Sequence, residues 1–138
     1  MEKLTSVLLV DDDKTTNFLN QALLARLGVA ERIHVALDGQ QALELVQQDR
    51  TAPTPDCPAL ILMDVNMPGM NGIEFLQHYR LLPAAQRHAT VMLTTSLHPR
   101  DVEQVQELGV HGFLNKPLSP EKVGELLRTH FHRELPAT

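Results

Sequence analysis

Short unbroken apolar runs alternate along this chain with longer stretches in which apolar residues recur at helical spacing. The runs lie at Ser6 to Val10, Ile33 to Leu37, Ala59 to Met63, Thr90 to Leu93 and Gly112 to Asn115. Their length and near-continuous hydrophobicity predict strands buried on both faces. After the first run, Phe18, Leu19, Ala22, Leu23 and Leu27 predict a helix that faces inward through these residues and stops at Gly28. A second helix is expected from Asp38, with Gln41 as capping-box partner, burying Ala42, Leu43, Leu45 and Val46 and ending before Pro53. Three prolines between Thr51 and Pro58 exclude helix and central strand there, so that segment is expected to be a surface loop.

Beyond the third run, Pro68-Gly69-Met70 predicts a turn, and Asn71 with Glu74 a capping box for a helix burying Ile73, Phe75, Leu76 and Tyr79. Pro99 opens a further predicted helix with a thin apolar stripe of Val102, Val105 and Leu108, ending at Gly109. Ser119 is expected to cap the final helix, with Pro120 at its first position and Val123, Leu126, Leu127 and Phe131 facing inward; the tail past Glu134 should fray. Alternating β-α units of this kind predict an α/β domain, a parallel sheet with helices on both faces.

Composition narrows the class. At 138 residues, 43% hydrophobic and 21% charged, the chain is expected to be one domain over residues 1–138, with its core over about 4–133. A net charge of −5 argues against direct nucleic-acid binding or an anionic membrane surface. No apolar stretch has the length of a membrane span and Met1-Glu2-Lys3 leads straight into a strand, so a cytoplasmic location is expected. The single cysteine, Cys57, cannot form an internal disulfide and reads as a bystander thiol. The seven histidines are scattered; His130 and His132, two apart on a predicted helix, face different directions and suit no joint metal site.

The chemistry lies where the strands end. Val10 is followed by Asp11-Asp12-Asp13, Met63 by Asp64, Leu93 by Thr94 and Thr95, and Asn115 by Lys116-Pro117. Taken singly, such residues can be helix caps, and Asp13 and Thr95 suit that role. Taken together on parallel strands, they bring carboxylates, a hydroxyl and an ammonium to the carboxyl-terminal rim, where open α/β sheets keep their ligand sites. Clustered carboxylates repel one another unless a cation joins them, and Mg²⁺ takes hard oxygen ligands, commonly one or two carboxylates together with phosphate.

With the acid pair Asp11-Asp12, the run from Asp64 through Asn66, Met67, Pro68 and Gly69 to Gly72, then Thr94 and Lys116-Pro117, the sequence resembles the receiver domain of bacterial response regulators. The resemblance extends from about Leu4 to about Arg133 and implies a flavodoxin-like, CheY-like sheet of five parallel strands in the order 2-1-3-4-5. It implies that Asp64 accepts a phosphoryl group from a sensor histidine kinase or a histidine phosphotransfer protein, with Mg²⁺ as cofactor. Asp12, Asp64 and the backbone carbonyl of Asn66 would then be direct metal ligands and Asp11 would act through water. Lys116 and Thr94 would hold phosphoryl oxygens.

The resemblance further implies a switch. Thr94 moves toward the phosphoryl group and Phe113 turns inward behind it. The surface that reports the change to a downstream protein would be the helix opening at Pro99, the last strand and the final helix. Asn66 and Ser96, both small and neutral, occupy the positions that tune phosphoryl lifetime, and an intermediate lifetime is expected. The chain is thus expected to be a signalling switch rather than a turnover enzyme: a stand-alone regulator or a phosphorelay shuttle or sink, ahead of a receiver cut from a hybrid kinase. Haloacid-dehalogenase-like phosphotransferases carry a second aspartate two residues after the nucleophile, where this chain has Asn66.

Overall fold

The computed structural model describes residues 4–48, 59–64, 72–81, 88–94, 103, 106–108, 110, 112–115 and 118–131. In chain order its elements are β1 (Leu4–Val10), α1 (Lys14–Leu27), β2 (Ala30–Ala36), α2 (Gly39–Gln48), β3 (Ala59–Asp64), α3 (Gly72–Tyr79), β4 (His88–Thr94), β5 (Gly112–Asn115) and α4 (Pro120–Phe131). All neighbouring strands pair in parallel and form one sheet ordered β2-β1-β3-β4-β5. The expected α/β architecture and strand order are therefore present. The proline-rich segment with Cys57, the cap at Asn71, and Pro99, Val102, Val105 and Gly109 of the expected fourth helix lie outside the described residues; Glu103, Gln106 and Glu107 within it are helical and exposed.

Successive strand residues divide between the two faces. Leu8, Val10, Ile61, Met63 and Met92 pack with Ala42, Leu43 and Val46 of α2 and with Phe75, Leu76 and Tyr79 of α3. Val7, Leu9, Leu60, Leu62, Val91 and Leu93 pack on the other side with Leu24 of α1 and with Val123, Leu126 and Leu127 of α4. Continuous apolar runs are what two covered faces require. The edge strand β2 is the exception, since its Glu31, Arg32 and His34 are exposed. This accounts for its true bounds, Ala30–Ala36 against the expected Ile33 to Leu37. The strand starts as soon as Gly28 ends α1 in the left-handed conformation (φ 66°), and Leu4 already pairs with Ala30.

Local signals near the helix ends hold with one adjustment. The Asp38 Oδ1 accepts from the Gln41 N–H (2.8 Å), as a cap should, but the Gln41 side chain accepts from Leu37 N–H (2.8 Å), one residue earlier than a standard capping box. Ser119 caps α4 through the Lys122 N–H (3.3 Å). Gly112 lets the last turn of α4 approach the sheet, because a Cβ there would stand 3.0 Å from the half-buried His130 ring.

The inward face expected for α1 is only partly correct: half-buried Leu23 and Leu27 pack against the core, but Ala22 is exposed. Phe18 and Leu19 are exposed (68% and 60%), whereas Asn17, Asn20 and Leu24 are buried. Residues 17, 20, 24 and 27 also make a helical stripe, but one that begins with two amides. The cause is the polar end of the sheet. The first turn of α1 lies over the ends of β1 and β2, and Asn17 Nδ2 donates to Asp11 O (2.8 Å) and, beside the Asp11 N–H, to Ala36 O (3.4 Å), which a phenylalanine could not do.

Candidate functional site

The strand register sets the site. Val10 of β1 is level with Met63 of β3, so the residues that follow them, Asp11 and Asp64, emerge side by side. Asp64 in turn is level with Leu93 of β4, and Thr94 with Asn115 of β5. Thr94 thus stands one residue farther out than Asp64. The two acids sit on the central strands β1 and β3, which have neighbours on both sides.

Three consecutive aspartates then divide the work of the β1–α1 connection. Asp11, buried at 4% exposure, donates its N–H to Ala36 O (3.2 Å) and folds its Oδ1 over the N–H of Asp13 (2.9 Å), a local turn typical of aspartate. Asp13 caps α1, its Oδ1 accepting from Thr15 N–H (2.9 Å) and Thr16 N–H (3.4 Å). The capping role expected of Asp13 is observed. Asp12 lies between them, exposed.

Asp11, Asp12 and Asp64 each offer a carboxylate oxygen, and the three oxygens lie within 4.8 Å of one another. Asp11 and Asp64 are buried, so the cluster opens to solvent on the Asp12 side. A donor set made only of carboxylate oxygens, with one open side, fits a hard divalent cation of the Mg²⁺ type that keeps waters and accepts phosphate oxygens. Receiver-like Mg²⁺ ligation is thus compatible with the residues present. Such a centre can hold a phosphoryl donor against a carboxylate nucleophile.

Of the other expected site residues, Thr94 closes β4 and Phe113 lies within β5, half-buried and packed against the cluster that holds Met63 and Met92. The hydroxyl of Thr94, Asn66, Ser96 and Lys116 lie outside the described residues. Sequence reading passed over Asn17. It is 3% exposed, its amide nitrogen binds two strand-end carbonyls, and its Oδ1 has no hydrogen-bond partner. An unpaired buried oxygen costs about 1–3 kcal/mol. The available signal was the alternative helical stripe of residues 17, 20, 24 and 27, masked by the more apolar neighbours Phe18 and Leu19.

Known proteins resemble this chain in sequence and fold. The family model for the response regulator receiver domain matches residues 7–128. The probable chemotaxis protein CheY of Rhizobium etli is 33% identical over 125 residues, covering 91% of each chain. Response regulator Rcp1 of Synechocystis sp. is 34% identical over 110 residues, 80% of this chain and 75% of the other. The crystallised chemotaxis protein CheY4 of Vibrio cholerae superposes with a TM-score of 0.76 at 30% identity, over 91% of this chain and 97% of that one.

Proposed function

The chain belongs to the response regulator receiver domain family, and from that membership we propose that Asp64 is its phosphoacceptor. Phosphorylation on an aspartate is the family's function, and receiver domains take the phosphoryl group from histidine kinases or phosphotransfer proteins. The observation that carries the assignment is the carboxylate cluster. Asp64 is the member on β3, buried beside Asp11 and within 4.8 Å of both other acids.

In this reading a carboxylate oxygen of Asp64 attacks the phosphorus of a phosphohistidine. The new P–O bond forms as the P–N bond breaks, and the imidazole nitrogen departs with the electron pair. Mg²⁺, when bound, supplies charge neutralisation for the transferring phosphoryl oxygens. Asp12, Asp64 and the carbonyl of Asn66 would hold it directly and Asp11 through water. Lys116 contributes a point charge to one phosphoryl oxygen, and Thr94 a hydrogen bond to another.

The added charge then recruits Thr94, and Phe113, already packed at the edge of the core, follows inward. The reporting surface is β5, α4 and the segment before β5, where Glu103, Gln106 and Glu107 are exposed. Asn66 and Ser96 set an intermediate phosphoryl lifetime, ended by slow autodephosphorylation. Residues 1–138 act as one receiver unit in the cytoplasm. Among the described residues no helix is long and apolar enough to cross a membrane.

The test is incubation with Mg²⁺ and acetyl phosphate followed by intact mass spectrometry. One labile phosphoryl adduct is expected, absent without metal and absent in Asp64→Asn. An adduct that persists in Asp64→Asn would move the phosphoacceptor elsewhere, and sustained turnover of many equivalents would make the protein an enzyme.

A further inference from the structure

Asp12 is the exposed member of the acid cluster, and its place depends on what holds the residues around it. Among the bonds at Asp11 are three between described residues: its N–H donates to Ala36 O, its Oδ1 accepts from Asp13 N–H, and its carbonyl accepts from Asn17 Nδ2 at 2.8 Å. Of these three, the last comes from a side chain outside the acid triplet. Asn17 also reaches Ala36 O, so a single amide ties the first turn of α1 to the ends of β1 and β2. Its remaining polar atom, Oδ1, is buried without a hydrogen bond. A side chain selected for packing alone would carry no such atom, and leucine has nearly the same shape.

We propose that Asn17 is a positioning residue for the divalent cation, holding the Asp11 carbonyl so that the Asp11-Asp12 backbone presents its carboxylates toward Asp64. This rests on the metal reading of the cluster given above. The physical reason is the stringency of the ion. Mg²⁺ demands near-octahedral oxygen geometry, so a strand-end loop free to shift by a fraction of an ångström holds it less well. Outer residues that orient metal ligands through hydrogen bonds typically control affinity by about 10- to 100-fold. Asn20 provides an internal comparison. It lies on the same buried stripe, one turn along, and makes no hydrogen bond to the acid triplet among the described residues.

The test is calorimetric Mg²⁺ titration of the wild-type chain, Asn17→Leu, Asn17→Ala and Asn20→Leu, with the ¹⁵N–¹H amide signals of Asp12 and Asp13 followed in parallel. Circular dichroism selects the Asn17 variants that keep the wild-type fold. The expected result is a dissociation constant raised about tenfold or more in the folded Asn17 variant. Asn20→Leu should stay within about twofold of wild type, since its substitution leaves every ligand-orienting bond in place. The metal-free Asp12 and Asp13 amide signals should move in the Asn17 variants and stay in place in Asn20→Leu. An Asn17 variant that binds Mg²⁺ as wild type does would overturn the proposal, as would equal losses in the Asn17 and Asn20 variants. Loss of the fold in both Asn17 variants would make the residue structural and overturn it as well. A wild-type chain that does not bind Mg²⁺ would overturn the metal reading itself, a result distinguishable from all of these.

Discussion

Adjacent aspartates in the Asp11-Asp12-Asp13 triplet have separable roles because each meets a different set of donors. Asp13 faces the free N–H groups of Thr15 and Thr16 at the start of α1. Replacing it by alanine should cost about 1 kcal/mol, while Asp13→Asn, which keeps an accepting oxygen, should cost far less. Urea denaturation of the two variants checks this, and equal losses would show that charge rather than the cap hydrogen bond is what Asp13 supplies. Asp11 and Asp64, by contrast, are placed by strand register, and their proximity to Asp12 is a matter of which strands are neighbours. Identity of the residues was readable from the chain; their mutual distance was not.

At the level of the element, α1 shows where periodicity misleads. Two stripes compete on this helix, one through Phe18, Leu19, Ala22 and Leu23 and one through Asn17, Asn20 and Leu24, and hydrophobicity alone selects the first. The Asp11 carbonyl just past β1 favours the second, because an unpaired buried carbonyl is costly and the Asn17 amide supplies the donor. Leu24, 1% exposed in the core beneath α1, should lose about 2–5 kcal/mol on replacement by alanine. Phe18→Ser, at 68% exposure, should change stability by no more than about 0.5 kcal/mol. Thermal or chemical unfolding of the pair decides between the two stripes, and the reverse ranking would return the helix to the face that its sequence suggested. Exposed Leu19 and half-buried Leu23 line a groove of about 580 Å³ that continues to Leu118 and to Pro120 at the start of α4.

For the molecule as a whole, function and stability meet at the same rim. The three carboxylates stand within 4.8 Å of one another at the ends of the adjacent interior strands β1 and β3, so a cation that binds the folded cluster and not the unfolded chain adds its binding free energy to the fold. At a Mg²⁺ concentration about 100 times its dissociation constant the gain is about 2.7 kcal/mol, a rise in unfolding midpoint on the order of 10 °C for a domain of this size. Scanning calorimetry with and without Mg²⁺ should show that rise in the wild type and most of it lost in Asp64→Asn. A midpoint indifferent to Mg²⁺ would remove the acid cluster from metal binding.

The sequence by itself determined the α/β class, the near-correct bounds of β1, β3 and β5, the caps at Asp13, Asp38 and Ser119, and the acids at the rim. Each of these is written in local terms: runs with both faces apolar, side-chain oxygens just ahead of helical periods, polar residues directly after strands. Only the tertiary structure decided that Asp11 and Asp64 stand together, that β2 is an edge strand with exposed Glu31 and Arg32, and that α1 turns two asparagines inward. These depend on strand order and on the hydrogen-bond needs of backbone groups, and although Asn17 and Asp11 are only six residues apart, the folding of β1 into the sheet is what buries the carbonyl that the amide meets.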